Sequence, residues 1–191
     1  LLALDTTAMQ TALDGPDGSI ILFDFKAAFP SISQQYLLCT LRAAGLPEQA
    51  INLVTSLYDN NHCQIRFKGT MYPGFTMTSG VRQGCPLSPL IFVTVVDSLL
   101  RQLLNRIPSA VVRAYADDIA LVLEDMTRDL PLAREIFDKF EQVSGLKLNL
   151  PKTVIIPSAT ASASEWTASV PISIWDDAAV EATLSADNEN F

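Results

Sequence analysis

Two adjacent carboxylates, Asp117 and Asp118, interrupt the apolar run "RAYADDIALVL" (residues 113–123), and a third, Asp24, sits in a second such run, "SIILFDF" (residues 19–25). Charged side chains seldom lie among strand formers unless something compensates them. Either the pair forms the polar turn of a hairpin, or it holds a cation. If the two runs are neighbouring strands, Asp24 and Asp117 come close together. Carboxylates at close range repel, and divalent cations relieve the repulsion. Oxygen-only ligation suits Mg²⁺, and two such ions about 4 Å apart serve in-line phosphoryl displacement.

The elements that would position these acids can be read from pattern. "SIILFDF" is short, β-branched and aromatic, as a buried strand should be, and enters from the turn "DGPDG". Ser31 followed by Gln34 predicts a helix start, carried by Leu37, Leu38 and Leu41 as far as Gly45. Pro47 suits the first turn of a second helix, on which Ile51, Val54 and Tyr58 share a face. "CQIRF" and "MYPGFTM" read as strands around "KGT", and a long apolar helix is expected from Leu87 to Leu104. "VVRAYA" and "IALVLE" read as two strands joined at the acids, with a helix from about Leu130 to Val143 and a last strand after it. Strands and hairpins mixed with helices predict an α+β fold, a mostly antiparallel sheet with helices packed on one face.

Composition narrows the class. The 191 residues are 49% apolar, enough for a sizeable core in one domain. The longest apolar stretch, Pro89 to Leu104, is broken by Asp97 and Arg101, so a core helix is expected and no membrane span. Cys39, Cys63 and Cys85 are widely spaced, with His62 the one histidine, which argues against a zinc or disulfide framework and for a reducing intracellular compartment. The net charge of −8 is unevenly placed. Residues 158–191 hold six acids and no base, which leaves 15 acids against 13 bases over residues 1–157. Metal-bound acids would shift that balance further, so the acidic total does not exclude a nucleic-acid enzyme.

Four segments, "LFDFKAAFPSI", "SGVRQGCPLSPLIF", "YADD" and "GLKLNLPKT", in this order and at these intervals, resemble the successive palm motifs of reverse transcriptases, closest to those of non-LTR retrotransposons. The resemblance covers residues 18–157. It implies a polymerase palm and a template-directed DNA polymerase that takes an RNA template, a DNA primer and deoxynucleoside triphosphates. By the same resemblance, Asp24 and Asp117 bind two Mg²⁺ ions, for which Mn²⁺ can substitute. The Phe25 carbonyl adds an oxygen, and Asp118 supports the site. Phe29 falls where the family places an aromatic that crowds the sugar 2′ position, while packing in the core is the other reading of that ring. Gly84 and Gly80 let the backbone approach a ligand. Gln83 can hydrogen-bond a nucleotide or template base, and Arg82 offers a phosphate-compatible fork. Lys152 matches the lysine assigned to protonate departing pyrophosphate, and Lys26 can reach the triphosphate. Either lysine can equally be a solvated surface charge.

Some features depart from the family. Pro30 stands where relatives often have an acid. About 20 residues precede the first palm strand, fewer than a fingers segment needs, and the first residue is not Met, so a fragment of a longer polyprotein is expected. Residues 1–157 read as a partial reverse transcriptase domain, and residues 158–191 as an acidic Ala/Ser/Thr-rich tail expected to be disordered, whose Trp166 and Trp175 could anchor it to a neighbour. No endonuclease or RNase H segment is found. The phosphate-loop and GxGxxG patterns are absent, which argues against an ATPase or a dehydrogenase. The rival reading is a catalytically inactive, degenerate palm remnant that at most binds nucleic acid or a protein partner. Intact Asp24, Asp117 and Gln83 favour the enzyme; the short ends favour the remnant. Nuclear and cytoplasmic ribonucleoprotein locations are not distinguished.

Overall fold

The computed structural model describes residue 15 and residues 17–157. The expectations for the tail and its two tryptophans therefore lie outside the described residues. The elements run β1 (Ser19–Phe23), α1 (Ala28–Ser31), α2 (Gln34–Ala43), α3 (Glu48–Tyr58), β2 (His62–Phe67), β3 (Thr70–Thr76), α4 (Ser88–Arg106), β4 (Val111–Tyr115), β5 (Asp118–Leu123), α5 (Met126–Ser144) and β6 (Val154–Pro157). They divide into two compact units. The first takes the described residues up to Lys26, then Leu99–Lys139, then those from Leu148 on. The second takes Ala27–Ser98 and Phe140–Lys147.

In the first unit a four-stranded sheet has the order β4-β5-β1-β6, and each neighbouring pair is antiparallel. β1 is paired on both edges and mostly buried, and after Ser19, itself buried, its side chains are all apolar. On one face Phe23 meets Phe137 of α5 with ring centroids 4.7 Å apart. On the other, Ile20 and Val122 are buried, with Leu22 and Val111 packed against them. The α+β palm-like fold with helices on the sheet agrees with the sequence reading.

α5 begins four residues earlier than its periodicity suggests, because Asp125 Oδ1 accepts the main-chain N–H of Arg128 and caps the first turn. Pro131 lies inside the helix and does not start it. The next residue after the cap's partner, Asp129, is buried, and Arg128 grips both its carboxylate oxygens at 2.7 Å. Asp129 holds the Arg128 guanidinium well above its ordinary pKa, chiefly through that hydrogen bond.

In the second unit the α2 cap is also displaced. Ser33, not Ser31, accepts the Tyr36 N–H, and Ser31 closes the short α1 turn before it. Pro47 precedes α3 as its N-cap, and Ile51, Val54 and Tyr58 are its buried face as expected. β2 and β3 form a two-stranded ribbon of their own.

Candidate active site

The two acidic strand ends are neighbours. β1 and β5 pair antiparallel with Phe23 opposite Ile119, so one more step of register sets Asp24 across from Asp118. Asp117 occupies the β4–β5 turn, since Tyr115 pairs directly with Asp118 and only Ala116 and Asp117 lie between. That turn is tight: Ala116 has φ of 53°, a conformation that costs a non-glycine residue about 1–3 kcal/mol and is found where surrounding structure enforces it. The acids thus lie at a hairpin tip, Asp117 in its turn and Asp118 opening β5. Among the described residues, no group of three or more His, Cys, Asp or Glu side chains stands gathered as a metal cluster.

What Asp24 touches is the segment after α5. The Asn149 N–H donates to the Asp24 carbonyl at 2.8 Å, and the Asn149 side-chain amide donates to Asp24 Oδ2 at 3.1 Å. From Asn149 a 3-10 turn (Leu150–Lys152) carries Lys152 back, and its Nζ lies 3.2 Å from the same Oδ2. One residue earlier, Leu148 bridges Phe25, whose side chain is buried. The carboxylate is 20% exposed and the Lys152 side chain 70%, so the ion pair faces solvent on its lysine side. Lys26 is exposed. Sequence reading singled out Lys152 and overlooked Asn149. The available signal was its place three residues before that lysine, at the start of a Pro-containing turn. Asn149→Ala keeps the main-chain bond and should lower stability by about 1.5–3 kcal/mol, the range for a hydrogen bond to a charged group. Asn149→Asp should cost more, because it sets two carboxylates together. Urea midpoints at neutral pH read both.

Phe29, Arg82, Gln83 and Gly84 belong to the second unit, and there the residues after Phe29 are bound to the loop that carries the other three. The Val81 N–H donates to the Phe29 carbonyl at 2.8 Å and the Gly80 N–H to the Ile32 carbonyl at 2.7 Å. Ser79 Oγ donates to the Pro30 carbonyl at 3.2 Å. Phe29 itself stacks on Phe92 of α4, with centroids 5.0 Å apart and 16° between the rings. Phe92 is fully buried, while Phe29 is half-buried, so one ring face is braced and part of the side chain remains open. Arg82 Nη2 donates to Asn61 Oδ1 at 2.9 Å, and Gln83 is exposed. Gly84 has φ of 84° with open space where a Cβ would stand. The Cys85 thiol has a lowered pKa, first through a hydrogen bond from the Leu87 backbone and in smaller part through Ser88 and the Arg82 charge.

The family model described as "Reverse transcriptase (RNA-dependent DNA polymerase)" matches residues 6–167. The chain is 35% identical over 135 residues to the retrovirus-related Pol polyprotein of the type-2 retrotransposable element R2DM from Drosophila melanogaster. That match takes 68% of this chain and 13% of the relative. It is 29% identical over 158 residues to the Pol polyprotein of a type-1 retrotransposable element R2 from Popillia japonica, taking 78% of this chain and 26% of that one. The chain therefore spans about a quarter or less of the curated relatives it matches. Among solved structures, telomerase from Candida tropicalis in complex with the TWJ fragment of telomeric RNA superposes with a TM-score of 0.67. That match has 17% identity and covers 82% of this chain and 29% of the telomerase chain. The apo telomerase gives the same TM-score at 16% identity. These two likenesses concern the fold.

Proposed function

The chain belongs to the reverse transcriptase family, as a reverse transcriptase domain of a retrotransposon-like Pol polyprotein, and from that premise we propose that it copies RNA into DNA by two-metal nucleotidyl transfer. The observation that supports the reading is the antiparallel pairing of β1 with β5, which puts the strand end before Asp24 beside the hairpin end that carries Asp117 and Asp118, with a cationic side chain already on Asp24. A carboxylate oxygen that accepts an ammonium at 3.2 Å is open to a cation, and the donors available are oxygens, as Mg²⁺ prefers. Asp24 and Asp117 would hold two Mg²⁺ or Mn²⁺ ions, with Asp118 and the Phe25 carbonyl beside them. Such ions, when bound, make the primer 3′-hydroxyl a better nucleophile and offset charge on the pyrophosphate leaving group.

The chain's own residues supply the rest. Asn149 fixes the orientation of the Asp24 carboxylate. Lys152 brings a protonated amine to the edge of the site, exposed enough to give its proton to the leaving pyrophosphate, and Lys26 reaches the triphosphate. Arg82 and Gln83, on the loop hydrogen-bonded to the Phe29 backbone, receive phosphate and base. The remaining partners are the RNA template, the DNA primer, deoxynucleoside triphosphates and the rest of the polyprotein. Extension of a DNA primer on an RNA template by the polyprotein that carries this segment tests the reading. It should require Mg²⁺ or Mn²⁺, and extension without either ion would return the chain to the binding-remnant reading.

Phe29 sets sugar choice in this scheme. With one face held by Phe92, its ring cannot yield to an added hydroxyl, and a fixed wall discriminates by clash. Phe29→Val should raise incorporation of ribonucleotides relative to deoxynucleotides by roughly ten- to two-hundredfold, the range one group in a packed pocket commands. Competition between the two nucleotide types measures it. Unchanged selectivity with a lower melting temperature would make Phe29 a packing residue.

A further inference from the structure

The β2–β3 ribbon is exposed on both faces, although it carries Ile65, Phe67, Met71, Tyr72 and Phe75, each about half exposed or more. A two-stranded hairpin alone is marginal in water, and this much apolar surface calls for a partner. Register sorts the ribbon into two faces. Ile65 pairs with Tyr72 and Phe67 with Thr70, so Ile65, Phe67 and Tyr72 share one face, while Gln64, Arg66, Met71 and Pro73 share the other. Lys68, at the tip, places its Nζ 5.5 Å from the Phe67 ring centroid. The charge pattern is one-sided as well. In a chain of net −8, residues 60–96 contain no Asp or Glu and three bases, Arg66, Lys68 and Arg82.

We propose that the Ile65, Phe67 and Tyr72 face of this ribbon docks single-stranded nucleic acid, with bases stacked on the two rings and a phosphate at Lys68. Flat rings beside a cation are what sequence-tolerant recognition of a single strand needs, because every base has a π-face and every nucleotide a phosphate. Gly74 fixes the ribbon's bend: the Cβ of any larger residue there would lie 2.3 Å from the Cys63 carbonyl oxygen, at the point where register shifts between His62 and Gln64. The proposal rests on the polymerase reading only for the identity of the strand, an RNA template.

Fluorescence anisotropy of a labelled oligouridylate of about 12 nucleotides, a length within the usual site sizes, tests it on the 191-residue chain. Phe67→Ala and Tyr72→Ala should each weaken binding by roughly five- to hundredfold. Met71→Ala, equally exposed on the opposite face, should leave it unchanged. Lys68→Gln should flatten the slope of log K against log salt by about 0.7, one single-strand phosphate contact. Tyr72→Leu keeps an apolar partner for Ile65 and removes only the ring, so it should weaken binding with the circular dichroism spectrum retained. Absence of binding by the unaltered chain, or equal losses from Met71→Ala and Tyr72→Ala, overturns the proposal. So does unchanged RNA affinity in the ring variants with lowered stability of the longer polyprotein, which would make this face a protein contact. Failure of the catalytic reading is separable: it would show as extension persisting in the Asp117→Ala protein, whatever the ribbon variants do to affinity.

Discussion

Asp24→Ala or Asp117→Ala should each reduce Mg²⁺-dependent primer extension by about a thousandfold or more, since each removes charge compensation where the transferring phosphoryl group needs it. Neither substitution should unfold the first unit. Asp24 lies just beyond the last paired residue of β1, and Asp117 sits in a turn. Loss of the Asp24 carboxylate also leaves Lys152 without its ion pair and the Asn149 amide without its acceptor. Asp118→Ala should reduce extension less, because Asp118 is exposed at the first position of β5 and, in the proposed site, would only support the other two. A second readout separates binding from turnover: Mn²⁺ affinity of the chain, followed by the electron paramagnetic resonance of the free ion, should fall in the Asp24 and Asp117 variants. Full extension by the Asp117→Ala protein would falsify the two-metal reading.

The acids were legible because a strand's composition is local. A carboxylate at the end of "SIILF" or before "IALVL" stands out against a buried run, and the tight connection of β4 to β5 is a matter of a few residues. The family resemblance then joined Asp24 to Asp117, which periodicity alone could not do. What stayed hidden depends on contacts far apart in the chain. The amide of Asn149 reaches a carboxylate 125 residues away, and nothing in "LKLNLPKT" distinguishes that asparagine from a turn former. Helix starts were missed for a different reason. Ser31 and Ser33 are equally good caps by type, and the choice is made by the α1 turn and by the Ser33 N–H, which donates to the Ser144 carbonyl. For α5, Asp125 was the cap, about five residues before the start expected near Leu130. Phe29 shows both cases at once. Its position in "FDFKAAF" suggested a pocket wall, but its stack on Phe92 required the path of α4.

Gly80→Ala should destabilise the chain by roughly 2–6 kcal/mol, the sum of a left-handed backbone cost and an overpacking cost of about 1–3 kcal/mol each. Gly80 has φ of 83°, and a Cβ there would stand 2.6 Å from both the Cα and the carbonyl oxygen of Pro30. Those are main-chain atoms of the α1 turn, which cannot rotate aside as a side chain would. The turn is further confined by Gly145, whose Cβ position lies 2.4 Å from the Ser31 carbonyl oxygen, so relief by moving Pro30 meets a second contact. The same approach lets Gly80 and Val81 donate to the Ile32 and Phe29 carbonyls. An alanine that forces the two segments of this contact apart therefore disturbs the backbone of Phe29 and the start of the Arg82–Gln83 loop together. Thermal unfolding should show the loss of stability. In the surviving folded fraction, discrimination against ribonucleotides should fall as well, since the wall at Phe29 is set by the bond that Gly80 permits. By contrast, Gly84→Ala meets open space and carries only the backbone cost of its φ of 84°, about 1–3 kcal/mol. Equal destabilisation by the two substitutions would show that the close approach to Pro30 contributes nothing, and that the left-handed backbone alone explains the glycines of this loop.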